Sequence, residues 1–120
     1  MPLPVSAPFH CALMAPVKAQ LDAVLNQVAW RAPRVPVVTN VEAAPNSDGA
    51  RVRELLVGQV TAPVRFTEIV QRMMKDGVDT FVEVGPGKVL SGIVKRMAKE
   101  AKIANVEDPA SLDATLGVLP

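Results

Sequence analysis

The stretch "VDTFVEVGPGKVLSGIVKRM", residues 78–97, decides the fold. Val78 to Val84 reads as extended chain, and Gly85-Pro86-Gly87 then turns it sharply. Past the turn, Val89, Leu90, Ile93, Val94 and Met97 recur at the three- and four-residue steps of an amphipathic helix. A strand that turns directly into a helix is the unit from which layered α/β sheets are built.

Outward from that unit the alternation continues. Downstream, "KIANV" (Lys102 to Val106) suits a last short strand, and "PASLDATL" suits a terminal helix with Pro109 in its first turn. Upstream, Phe66, Ile69, Val70, Met73 and Met74 form a helical face, with Gly77 placed to stop it. "ARVRELLVGQV" carries another through Val52, Leu55, Leu56 and Val60, and Ala62-Pro63 breaks it. "EAAPNSDG" reads as a polar turn-rich loop, and "RVPVVTNV" (Arg34 to Val41) as a strand covered on both faces. Met14, Val17, Leu21, Val24, Leu25 and Val28 predict a helix that starts between His10 and Ala15, tolerates Pro16 near its start, and ends before Ala32-Pro33. "LPVSA" (Leu3 to Ala7) suits a strand end or edge. The expected class is α/β with a mostly parallel sheet. Three or four strands are few for such a sheet, and apolar residues begin directly after Met1, so residues 1–120 are expected to be part of a larger domain.

At 120 residues with 49% hydrophobic and 21% charged side chains, the chain has the composition of an ordinary globular protein. A formal net charge of +1 gives no electrostatic case for nucleic acid or an anionic membrane as partner. Cys11 is the sole cysteine, so no internal disulfide can form and a reducing cytoplasm is the expected compartment. No apolar run approaches the ~18 residues that cross a bilayer.

His10, in "VSAPFHCALM", is the only histidine. It stands where a loop opens a helix, and the partial positive charge there suits a neutral, proton-accepting ring. Cys11 beside it points elsewhere on a helix start and reads as a buried structural thiol. One His and one Cys without clustered carboxylates give no metal site. Gly85 to Lys88 resembles a phosphate cradle but lacks the P-loop spacing, so a tight structural turn is the better reading. Ser6, Ser47, Ser91 and Ser111 stand in no Gly-x-Ser-x-Gly elbow. The chain has a candidate base and lacks a matching nucleophile.

"PVSAPFHCALM", "VPVVTNV", "LLVGQVTAPVRFTEIV", "EVGPGKVLSGIVKR" and "NVEDPASL" occur in the order found in malonyl-CoA:acyl carrier protein transacylases. The chain resembles the C-terminal part of the free-standing bacterial enzyme, and shares several motifs with polyketide-synthase acyltransferase domains. The resemblance implies an α/β-hydrolase-like core, of which this is the C-terminal segment, with a ferredoxin-like subdomain inserted upstream. It also places upstream the serine of a Gly-His-Ser-x-Gly elbow, the arginine that pairs with malonyl, and an oxyanion-hole glutamine.

By that pattern His10 is the base and the Gln59 backbone carbonyl orients it. Phe9 favours malonyl over methylmalonyl by crowding the acyl pocket, and Asn40 has a supporting role. The implied substrate is malonyl-CoA, the implied partner is acyl carrier protein, and no cofactor is permanently bound. The isolated chain is expected to be inactive. Two other readings stand beside this one: a non-catalytic interaction module that keeps the fold, and nucleotide binding at Gly85 to Lys88.

Overall fold

The computed structural model describes residues 8–119, so the strand expected at Leu3 to Ala7 lies outside the described residues. The chain divides into two compact units, one ending at Ile69 and the other beginning at Val70.

In the first unit a short 3-10 turn, Ala12–Met14, runs into helix α1 (Ala15–Leu25). Pro16 sits in the first turn of α1, where a missing N–H leaves no bond unmade. At the other end, the Leu25 carbonyl accepts both the Val28 N–H at 3.2 Å and the Trp30 indole Nε1–H at 3.1 Å. Helix α1 lies against α2 (Val52–Gln59), and the Arg53 Nε to Asp22 Oδ1 pair at 3.1 Å ties the two together.

The long strand expected at Arg34 to Val41 is not formed. Only Val37–Val38 (β1) is extended and paired, antiparallel to Pro45–Asn46 (β2), with Val37 opposite Asn46. Pro36 has no N–H to give a sheet, and Thr39 already begins the return by accepting the Ala43 N–H at 2.9 Å. Val35 and Val37 are 69% and 51% exposed, as on a hairpin rather than in a covered strand. The "EAAPNSDG" loop is the returning arm of that hairpin. Buried Asn46 bonds Asp48 twice, donating to its carbonyl and accepting its N–H, and Asp48 then caps a 3-10 turn at Gly49–Arg51 through the Ala50 N–H at 2.8 Å.

Helix α3 (Phe66–Lys75) begins in the first unit and ends in the second. Gly77 stops it with φ +91°, and the Val78 N–H closes back on the Met73 carbonyl at 3.0 Å. The second unit is a β-α-β crossover. Strand β3 (Thr80–Val84) pairs in parallel with β4 (Lys102–Val106), in register from Thr80 opposite Lys102 to Val84 opposite Val106. Helix α4 (Val89–Met97) connects them and packs on both strands, burying Val94. Helix α5 (Pro109–Leu116) lies on β4, tied by buried Thr115, whose hydroxyl donates to the Asn105 carbonyl at 2.9 Å. Its start is a reciprocal cap: the Asp108 carboxylate accepts the Ser111 N–H, and the Ser111 hydroxyl accepts the Asp108 N–H. Among the described residues the α/β architecture is therefore mixed, with one parallel and one antiparallel pair. Val82 and Val84 of β3 are exposed, Val84 to 78%.

Two glycines make opposite predictions. A Cβ on buried Gly49 would lie 2.5 Å from the Arg31 carbonyl carbon and 2.6 Å from the Ala32 nitrogen, and backbone cannot give way as a side chain does. Gly49→Ala is expected to cost about 1–3 kcal/mol of unfolding free energy. Gly92, within α4, has open space at that position, and Gly92→Ala is expected to gain up to ~1 kcal/mol from helix propensity. Urea denaturation of the two variants beside the parent checks the pair; similar midpoints for both would contradict the close approach at Gly49.

Candidate active site

The geometry at His10 begins with the end of α2. A helix leaves its last carbonyls without backbone partners. The residue four positions beyond Gln59, whose N–H would continue the ladder, is Pro63, which has none. The Gln59 carbonyl is thereby left open. His10 fills it: Nδ1 lies 3.0 Å from the Gln59 carbonyl oxygen, across 49 residues of sequence. The His10 backbone is held at φ +55°, a region a non-glycine residue seldom occupies, and Cys11 follows it in extended form at the start of the Ala12–Met14 turn.

The chemistry of this contact follows from the acceptor. A carbonyl oxygen can only accept, so in that bond Nδ1 carries the proton and Nε2 carries the lone pair. His10 is exposed, and among the described residues its Nε2 has no hydrogen-bond partner. The partial negative charge at the C-terminal end of α2 lies on the side of the ring that becomes positive when Nε2 is protonated. Gln59 also meets the ring through its side chain: its amide nitrogen is 3.2 Å from Nδ1 and 2.9 Å from the Ala62 carbonyl.

The other expected residues fall around this pair unevenly. Asn40 and Gln59 both line a cleft of about 410 Å³ within the first unit, together with Trp30, Val38, Val41 and Leu55. Phe9 is 62% exposed and does not line that cleft. Cys11 is half-buried rather than buried, and its thiol donates to the Pro8 carbonyl at 3.2 Å. Among the described residues the ring's hydrogen bonds go to Gln59 alone; Ser6 lies outside them.

Arg65 is a positioning residue the sequence reading missed. Its guanidinium donates to the Glu42 carbonyl at 3.0 Å and the Val41 carbonyl at 3.4 Å, and its backbone N–H donates to the Asn40 carbonyl at 3.3 Å. It thereby holds the segment that carries Asn40. Glu68 pairs with the same guanidinium, and that hydrogen bond lowers the Glu68 carboxyl below its ordinary value. The spacing Arg65-x-x-Glu68 signals the ion pair, but nothing in it indicates which loop the arginine reaches.

The Gly85–Lys88 turn is already filled. The Glu83 carboxylate accepts the Leu90 N–H at 3.1 Å and the Ser91 N–H at 2.7 Å, capping α4 from the strand before it. Glu107 accepts the Gly87 N–H at 3.0 Å and stands 3.7 Å from the Lys88 ammonium. The groups that would cradle a phosphate are bound to the chain's own carboxylates, so the nucleotide reading of this turn is set aside and the structural turn stands. Gly85 and Gly87, at φ +139° and +87°, supply the conformations it needs. Among the described residues no group of three His, Cys, Asp or Glu side chains could hold a metal, and no helix is long and apolar enough to cross a membrane.

No protein-family model matches the chain. It is 43% identical over 114 residues to the malonyl CoA-acyl carrier protein transacylase of Haemophilus influenzae, an alignment covering 95% of this chain and 36% of that protein. The crystal structure of MCAT from Streptococcus pneumoniae superposes with a TM-score of 0.90 at 44% identity, covering 99% of this chain and 39% of that one. A malonyl-transacylase in complex with a type II PKS acyl-carrier protein matches with a TM-score of 0.89 at 41% identity, covering 98% and 38%. The chain spans rather more than a third of the length of the curated relatives it matches.

The filled turn predicts an acid response. The Ser91 and Leu90 N–H groups, which the carboxylate accepts, hold the Glu83 carboxyl below its ordinary range, so its capping contribution is complete at neutral pH. It is lost as the pH falls through the lowered folded value. Thermal melts from pH 6 downward are expected to show a decline that Glu83→Gln flattens, with the variant's melting temperature lower by ~2–6 °C at pH 6. Equilibrium dialysis with inorganic phosphate at neutral pH is expected to show no uptake by the parent chain.

Proposed function

We propose that this partial homologue of the bacterial malonyl CoA-acyl carrier protein transacylases is the C-terminal segment of such an enzyme, and that it supplies the histidine base of malonyl transfer. The observation that carries the proposal is the His10 Nδ1 contact at 3.0 Å with a carbonyl that Pro63 keeps free. The segment reading is supported by the share of the relatives that the chain spans and by the exposed valines on β3, apolar surface of the kind other chain covers.

In the proposed reaction a preceding segment brings a serine hydroxyl to His10 Nε2. The ring takes the hydroxyl proton as the serine oxygen attacks the thioester carbonyl of malonyl-CoA. The oxygen–acyl bond forms, the carbon–sulfur bond breaks, and the leaving thiolate receives the proton from Nε2. In the second half, the phosphopantetheine thiol of acyl carrier protein gives its proton to Nε2 and attacks the seryl ester. The thioester forms, and the serine oxygen recovers the proton.

The Gln59 backbone carbonyl favours the tautomer that can accept at both stages. Phe9 crowds the acyl site against an α-methyl group, and Asn40 supports the cleft wall beside Gln59. Malonyl-CoA is a substrate rather than a resident cofactor, the chemistry calls for no metal, and the single cysteine suits the cytoplasm.

A radiolabelled malonyl-transfer assay tests the reading. The 120-residue chain alone is expected to transfer no label above background, and turnover well above it would refute the claim that the serine lies upstream. In the protein that includes the upstream segment, His10→Ala is expected to lower kcat by ~10²–10⁴-fold. A full rate in that variant would refute His10 as the base, and no transfer by the unmutated longer protein would leave the interaction-module reading in its place. Phe9→Ala is expected to shift selectivity toward methylmalonyl by up to ~10–200-fold, the worth of about one methyl group.

A further inference from the structure

The Gln59 amide nitrogen stands 2.9 Å from the Ala62 carbonyl and 3.2 Å from His10 Nδ1. Its orientation is set by Ala62, because a carbonyl only accepts, so the amide must present N–H and not oxygen to it. The amide's second N–H is then the group that faces Nδ1. The Gln59 Oε1 atom is buried and has no hydrogen-bond partner among the described residues, so the amide is held by its two N–H contacts alone.

One residue thus offers the same ring nitrogen both an acceptor and a donor. The backbone carbonyl at 3.0 Å requires a proton on Nδ1. The side-chain N–H requires a lone pair there, which moves the ring proton to Nε2. A neutral imidazole satisfies one of them at a time.

We infer that the Gln59 side chain is a positioning residue that sets the tautomer of His10, opposing its own backbone carbonyl and keeping part of the population protonated at Nε2. This inference rests on the reading of His10 as the base only for its consequence. A ring that already carries a proton on Nε2 cannot take one there, so the amide restrains the base until the ring exchanges tautomers or the side chain withdraws. The tautomer itself is a property of this chain, whatever reaction it serves.

Because His10 is the only histidine, its ring nitrogens are read without ambiguity in a long-range ¹H–¹⁵N spectrum of the uniformly labelled 120-residue chain, at a pH where the ring is neutral. Gln59→Met removes the donor, keeps the length of the side chain and leaves the backbone carbonyl in place. The expected result is a shift of the ring shifts toward the Nδ1–H form, with the tautomer ratio changing by ~2- to 10-fold, the worth of one hydrogen bond. Two results would overturn the inference. An unchanged ratio would mean that the amide does not act on the ring. A shift toward Nε2–H, the form free histidine prefers, would mean that the amide merely holds the His10 loop in place.

Backbone amide signals of α1 and α2 report whether the variant keeps the fold, and Gln59→Leu is the second donor-free variant if Gln59→Met does not. Loss of the enzyme reading through an active His10→Ala would leave this spectrum unaltered. A failed tautomer shift, conversely, would leave His10 free to act as the base.

Discussion

A single unsatisfied carbonyl, at the end of α2, is the constraint on which the candidate site depends. Helices end with open acceptors, and most proteins close them with water, a glycine turn or a side chain. Here Pro63 removes the nearest backbone donor and an imidazole from 49 residues away takes its place. The position of the ring is therefore as well defined as the end of α2. Helix α2 in turn is fixed at its start by Asp48 and against α1 by the Arg53–Asp22 pair. The left-handed backbone at His10 belongs to the same chain of cause: it is the local strain that the long-range hydrogen bond and the Ala12–Met14 turn together hold.

The second unit applies the opposite logic to a superficially similar feature. A glycine-rich turn between a strand and a helix presents open N–H groups, the raw material of an anion site. Here Glu83 and Glu107 occupy them from β3 and from the end of β4. A carboxylate tethered in the same fold competes with any free anion at very high local concentration. The turn therefore joins β3 to α4, and through Glu107 it is tied to the segment between β4 and α5. In the first unit the helix terminus is taken up by a side chain from far along the chain, the candidate base. In the second the terminus is closed by structural carboxylates.

Much of the fold was legible in the sequence because it is local. The strand-turn-helix of residues 78–97, the stops at Pro63 and Gly77, the last strand and the proline-led α5 all rest on short-range periodicity and on backbone rules. The misreading at Arg34 to Val41 shows the limit: a β-branched run is equally compatible with a covered strand and with one arm of a hairpin, and Pro36 was the local clue against the former. Gly49 was unreadable, since its need to be glycine comes from the Arg31 backbone on a different segment. The contact between His10 and Gln59 was expected only through family resemblance. Residue type identified a candidate base, but no pattern within the chain pairs two positions so far apart. The physical reason for it, a proline four residues past a helix end, was present in the sequence and was read only as a helix break.

A neutral partner for the imidazole has a chemical consequence in the proposed transfer. A buried carboxylate would hold a full negative charge against the ring and so favour keeping the proton on it. A carbonyl at a helix end supplies a dipole and only a fraction of a charge, which is enough to orient the ring. Malonyl transfer runs from one thioester to another through an ester of serine, so the ring must take a proton and return it in each half. Neither half is served by a partner that makes protonation too favourable, since what is gained in removing the proton from the attacking group is lost in delivering it to the leaving one. An orienting carbonyl suits a reaction whose two directions are nearly balanced, and Pro63 is the residue that keeps that carbonyl open.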